Sequence, residues 1–156
     1  VQLLDELHRV VLALNEAGIE YVVCGGVAMA ILGRPRMTVD IDLLVAAEQI
    51  PDAIQVAEKA GFTDHAGWIE FRPDKLGPNR LYRLNKFKGE EFLTLDLLEL
   101  TEQRRVLLAG KQVFMFRGTS LPAISRESLI QMKSLTGRKK DQLDIDLLAG
   151  SEGDLT

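Results

Sequence analysis

The chain is poor in cysteine, histidine and proline, with one, two and five residues respectively, and aromatic residues fill only 6% of its 156 positions. A lone cysteine, Cys24, closes no intrachain disulfide, and its use fits a reducing, cytoplasmic setting. The two histidines, His8 and His65, fall on a helical pattern and in a turn, and together they make no metal constellation. There is no run of about 18 apolar residues, so no helix is expected to cross a membrane. An excess of basic residues is also missing: 19 Lys and Arg stand against 23 Asp and Glu, for a net charge of −4. That balance argues against broad, nonspecific binding of nucleic acid. Internal repeats and low-complexity segments are absent as well. What is present, 46% apolar and 27% charged residues, is the composition of a globular protein of one domain. We assign that domain to residues 1–150, with 151–156 as a polar tail that should fray. The opening Gln2-Leu3-Leu4-Asp5-Glu6 reads as the start of an amphipathic helix rather than a signal peptide.

The most informative stretch runs from Ile19 to Val45. Tyr21, Val22 and Val23 form an apolar run that enters Gly25-Gly26, a short helical pattern follows in Val27, Ala28, Ile31 and Leu32, and a second apolar run carries Asp40 and Asp42. The pattern predicts strand, glycine turn, helix, strand. Two glycines let the backbone turn sharply and approach a ligand, and the helix opening behind them aims unpaired N–H groups at it, which suits phosphate. In a strand, residues two apart share a face, so Asp40 and Asp42 point one way while Val39, Ile41 and Leu43 point to the core. Carboxylates so placed repel by roughly 2–3 kcal/mol at an effective dielectric of about 20, and a hard divalent cation, Mg²⁺ or Mn²⁺, removes that cost. Its remaining ligands could be the phosphates of a nucleoside triphosphate (NTP) seated on the turn. Arg36, between the turn and the acidic strand, is a further phosphate candidate because a guanidinium binds phosphate bidentately. Cys24 reads as a small buried core residue.

Gly25-Gly26-Val27-Ala28 followed by Arg36-x-Thr38-x-Asp40-Ile41-Asp42 resembles the signature of the nucleotidyltransferases that share a fold with DNA polymerase β. The likeness is greatest to the small bacterial members related to AbiEii toxins and to aminoglycoside nucleotidyltransferases. The resemblance implies an α+β fold, a mixed, twisted sheet with helices packed mainly on one side, in minimal form. It implies transfer of a nucleoside monophosphate from an NTP to an acceptor hydroxyl, with release of pyrophosphate. Asp40 and Asp42 would be metal ligands, and a third carboxylate on a later strand would serve as metal ligand and base. Asp96 is the candidate, with Glu99 as runner-up on the opposite strand face. Gly25, Gly26, Arg36 and Thr38 would contact the nucleotide, and Lys133, followed by Arg138-x-x-Asp141, echoes a lysine that contacts its phosphates. The acceptor stays open between a small hydroxylated molecule such as an antibiotic and an RNA or protein, the toxin-like case. A homodimer or a partner chain is open too. The rival from another class is a non-catalytic protein that keeps this fold and binds nucleotide or a partner.

The rest of the chain reads in order. Leu3, Leu4, Leu7, Val11 and Leu14 recur at helical spacing before Gly18, and Pro51 opens a second helix that Gly61 stops. Phe62-Thr63 suggests a short edge strand or a turn. Between Gly67 and Leu100, Trp68 to Phe71, Leu81 to Leu84 and Phe92 to Leu98 read as strands of an antiparallel meander, separated by Pro73, Gly77-Pro78 and Gly89. Six basic residues between Arg72 and Lys88 face one acid, Asp74, which suggests a local positive patch. Val113 to Phe116 reads as a strand, Leu121-Pro122 as a connection, and Ser125 as the N-cap of a helix that Gly137 ends. A second Asp-Ile-Asp, at Asp144 and Asp146, falls in the last helical pattern, where residues two apart diverge by about 200° and cannot chelate one ion.

Overall fold

The computed structural model describes residues 3–33, 40–136 and 139–153. Arg36, Thr38 and Arg138 lie outside these residues. The first helix, α1 (Leu3–Glu16), buries Leu7, Val10, Val11 and Leu14 along one stripe. It stops at Gly18, whose φ of 71° is left-handed backbone that glycine tolerates without strain. Strand β1 (Tyr21–Cys24) is buried at every position, as a strand covered on both faces should be. Then come α2 (Gly25–Ile31) and β2 (Asp40–Ala46), which pairs antiparallel with β1. Helix α3 (Ile50–Lys59) begins with Pro51 in its first turn. Phe62 is fully buried at the turn that follows, its N–H bonded to the Ala57 carbonyl at 3.0 Å.

The meander follows as β3 (Asp64–Asp74), β4 (Gly77–Lys88) and β5 (Glu91–Leu100), paired antiparallel in sequence order. β3 and β4 are longer than their apolar runs, so Pro73 and Pro78 lie inside strands rather than between them. The register of β3 shifts between Phe71 and Asp74, and β3 is an edge strand of the sheet, where proline costs least. A 3-10 helix, Gln103–Leu108, leads to β6 (Gln112–Phe116) and β7 (Thr119–Ala123). The expectation that Leu121-Pro122 marks a connection is corrected here, since both residues lie in β7. Proline there is tolerated because β7 meets β1 only at Val23↔Ala123, so the missing N–H takes little from the ladder. Ser125 caps α4 (Arg126–Ser134) by accepting from the Ser128 N–H at 3.1 Å. The last helix, α5 (Lys139–Gly153), extends past Gly150, where the sequence pattern ends it.

Seven strands form one mixed sheet in the order β3-β4-β5-β2-β1-β7-β6. The fold is the expected α+β arrangement. β2 and β5 are central and parallel, with Ile41↔Leu95 and Leu43↔Leu97 in register, and all four side chains are buried. α1 and α3 cover this apolar face: Lys86, on the same side of β4, reaches Glu6 on α1 at 2.6 Å and the Ala60 carbonyl just after α3 at 3.1 Å. Among the described residues, no helix is long and apolar enough to cross a membrane.

Candidate active site

The two-residue period of β2 turns Asp40 and Asp42 away from the apolar face. Parallel pairing with β5 then places Asp42 opposite Asp96 and Asp40 opposite Thr94. Neighbouring strands lie about 4.8 Å apart, so three carboxylates from distant parts of the chain share one patch of one face. Asp96 is only 3% exposed. Among the described residues, the Asp42 carboxylate takes no hydrogen bond or ion pair. Burial, then the charges of Asp96 and Asp40, push its pKa up to about 7 from an ordinary 3.8, and Lys133 and Arg83 offset this only in part.

The glycine turn abuts this patch. Gly25 has a φ of 68°, and a Cβ there would collide with the Asp42 carboxylate, meeting its Cγ at 2.8 Å. Only glycine lets the turn and the acid lie this close. Gly26 is the second residue of α2, and Cys24 at the N-cap gives that helix no side-chain cap. The Cys24 thiol is 1% exposed, and burial, reinforced by Asp42, pushes its pKa well above the ordinary value. It is an inert packing residue, not a nucleophile.

Two cations approach the acids. Lys133, on α4, acts electrostatically on both Asp42 and Cys24. Its Nζ, however, is already 2.9 Å from Asp144 and 3.5 Å from Asp141 on α5. As a phosphate contact it would have to be shared with these acids. Asp144 thus faces α4, while Asp146 accepts from Gln142 at 3.1 Å along an exposed part of α5. The second Asp-Ile-Asp diverges as helical geometry requires.

The other cation, Arg83, is one the sequence did not single out. It sits on β4 opposite Asp96 and holds it bidentately, Nε to Oδ1 at 2.8 Å and Nη2 to Oδ2 at 3.0 Å. Its neighbour in the basic stretch, Arg80, binds Glu99 at 3.1 and 2.9 Å. Glu99 lies on the other face of β5, which removes it as an alternative to Asp96. With Lys86 and, at 4.0 Å, Lys88 drawn to Glu6, four of the six basic residues from Arg72 to Lys88 are paired with acids. They do not form a free positive patch.

Several observations bear on whether these residues suit a divalent cation. The donors are hard oxygens, and Asp42 carries negative charge that nearby cations only partly offset, which suits Mg²⁺ or Mn²⁺. Against this, no group of three His, Cys, Asp or Glu among the described residues is gathered as a metal shell requires. Asp96, in addition, has both oxygens taken by Arg83. Asp42 therefore fits a cation directly, with Asp40 two residues away on the same strand face, whereas Asp96 fits only if Arg83 yields.

A family model for aminoglycoside-2''-adenylyltransferases matches residues 6–82. No curated protein sequence matches the chain. Among solved structures, a lincosamide antibiotic adenylyltransferase, LnuA, bound to lincomycin, is similar over 93% of this chain and 95% of its own, with a TM-score of 0.63 at 18% identity. An antigenic nucleotidyltransferase-like protein from Paracoccidioides brasiliensis is similar over 92% and 74%, with a TM-score of 0.57 at 21% identity. The protein ANT(2")-Ia, in complex with adenylyl-2"-tobramycin, is similar over 99% and 91%, with a TM-score of 0.55 at 17% identity. At such identities the likeness is one of fold, and that fold is the one the glycine turn and the aspartate strand foretold.

Proposed function

We propose that this chain, a nucleotidyltransferase by its fold and by the family model that its residues 6–82 match, transfers a nucleoside monophosphate from an NTP to a hydroxyl of a small, antibiotic-like acceptor. The observation that carries the reading is the register of Asp42 with Asp96 beside the Gly25 turn. The acceptor class is supported by the family model and by two of the structures of similar fold, which act on a lincosamide and on an aminoglycoside.

In this reading the Gly25 and Gly26 backbone seats the phosphates, aided by Arg36, Thr38 and Lys133. Asp40 and Asp42 would hold Mg²⁺ or Mn²⁺, joined by Asp96 once Arg83 releases it. When bound, such a cation neutralises phosphate charge and aligns the attacking and leaving oxygens. Asp96, facing the same patch, accepts the proton of the acceptor hydroxyl. That oxygen bonds to the α-phosphorus, the bond from the α-phosphorus to the bridging oxygen of the β-phosphate breaks, and pyrophosphate leaves.

The test is a screen of radiolabelled NTPs against aminoglycosides, lincosamides, total RNA and cell protein, with and without Mg²⁺. Metal-dependent label on a small molecule, with one pyrophosphate per transfer, is expected. Label on RNA or protein would shift the reading to a toxin-like transferase. The Arg83–Asp96 pair favours one further reading, a nucleotide-binding protein that does not catalyse transfer. NTP binding with no pyrophosphate released under any condition would select it.

A further inference from the structure

We propose that Arg83 is a latch that stands in for the cation: it covers both oxygens of Asp96 in the resting protein and must release them before Asp96 can join Asp40 and Asp42 around a metal. The proposal rests on the reading of these acids given above. Asp96 is buried beside Asp42, and a buried carboxylate needs a positive partner. Arg83 supplies one, with two bonds of 2.8 and 3.0 Å. A cation arriving at the acids would compete for the same two oxygens.

Arg83 is held by fewer contacts than Arg104 or Arg80. Arg104 is a fixed part of the structure: its side chain is 6% exposed and bonds Asp74 at 2.8 Å and the carbonyls of Pro78 and Gly77 at 2.9 and 3.3 Å. Arg80 is stacked on the Trp68 ring, 3.8 Å from its centroid, as well as paired to Glu99. Arg83 hydrogen-bonds Asp96 alone among the described residues and meets Asp40 and Asp42 only through their charge; its side chain is 37% exposed, as is that of Arg80. Beside it on β3, on the same face, the paired residue is Gly67, around whose Cβ position nothing lies within 4 Å. The guanidinium therefore has open space to move into; doing so gives up its hydrogen-bonded ion pair with Asp96 and weakens its attraction to Asp40 and Asp42. Arg83 is a positioning residue, since it acts through Asp96.

The experiment measures Mn²⁺ binding without nucleotide, by the loss of the free-ion electron paramagnetic resonance signal, in wild type, Arg83→Lys, Arg83→Gln and Asp42→Asn. Arg83→Lys keeps the positive charge but cannot cover both oxygens. It should bind Mn²⁺ at least about fivefold more tightly than wild type, the low end of coupling between competing ligands. Arg83→Gln should gain at least as much. A purely structural role predicts weaker binding in both variants, and a general charge effect predicts a gain in Arg83→Gln but none in Arg83→Lys. Either result overturns the latch. If Arg83→Gln folds poorly by circular dichroism, Arg83→Lys alone decides between these outcomes. Should Asp42→Asn bind Mn²⁺ as wild type does, or no variant bind it, the assignment of the acids to a metal fails first, and the latch falls with it.

Discussion

Replacing Asp42 by Asn should stabilise the protein when no metal is present, by an amount that depends on pH. The Asp42 pKa is pushed up from 3.8 to about 7 in the folded chain. A carboxyl bound more tightly to its proton in the folded than in the unfolded state destabilises the fold once ionised. Below pH 4 the group is protonated in both states and nothing is lost. Between pH 4 and 7 the unfolded chain gives up its proton while the folded chain keeps it, and stability falls as pH rises. Above pH 7 the loss is complete. A shift of about three units corresponds to roughly 4 kcal/mol at most, and because Asp42 keeps some contact with water we expect about 2–4 kcal/mol. At about 2–4 °C per kcal/mol for a chain of this size, Asp42→Asn should melt roughly 5–15 °C above wild type at pH 8 and level with it at pH 4. Calorimetric melts in chelator at both pH values give the difference directly, and added Mg²⁺ should raise wild type alone. A difference independent of pH, or an Asn variant that melts lower at pH 8, would refute the view that Asp42 is a carboxylate held under repulsion.

Gly25→Ala should lose both stability and NTP affinity. The left-handed backbone alone costs about 1–2 kcal/mol, and the new Cβ must displace Asp42; full NTP affinity by titration calorimetry would detach the turn from the nucleotide. Asp96→Asn should bind NTP within a few-fold of wild type yet transfer at least about 100-fold more slowly with the acceptor found in the screen, because a base acts chiefly in the transition state. Near-normal turnover would remove it from the catalytic set. Lys86→Met should cost about 3–5 kcal/mol in urea denaturation, since it leaves Glu6 buried without its closest cation, whereas Glu6→Gln with Lys86→Met should recover most of that. Equal losses in the single and double variants would show that packing, not charge, dominates at this position.

Much of the site was legible because it is local. The strand, glycine turn, helix and second strand follow one another in the chain, and the period of two sorts Asp40 and Asp42 from Ile41 and Leu43 without any tertiary knowledge. The same rule separated Asp96 from Glu99, and helical geometry dismissed Asp144 and Asp146. Pairing between strands was not legible. Arg83 was one of six basic residues spread between Arg72 and Lys88, and only the pairing of β4 on β5 reveals that it faces Asp96 while Arg80, three residues earlier, binds Glu99 on the other side. Lys133 carried a signal from the family resemblance, but its occupation by Asp141 and Asp144 depends on how α5 returns across α4. Pro122 misled because a missing N–H marks a break only where the ladder needs that donor.

The parallel pairing of β2 with β5 also governs when the site comes into being. Between those strands lie α3, β3 and β4, so the contact of Asp42 with the Asp96 segment closes a long loop at an entropic cost. Non-local closures of this kind come late and slowly in folding. During synthesis the glycine turn and its aspartates leave the ribosome well before β5 does, so a nascent chain holds Gly25 and Asp42 without Asp96 beside them. On the proposed reading such a chain would not transfer a nucleotide until the meander has docked, which would tie competence to completion of the sheet.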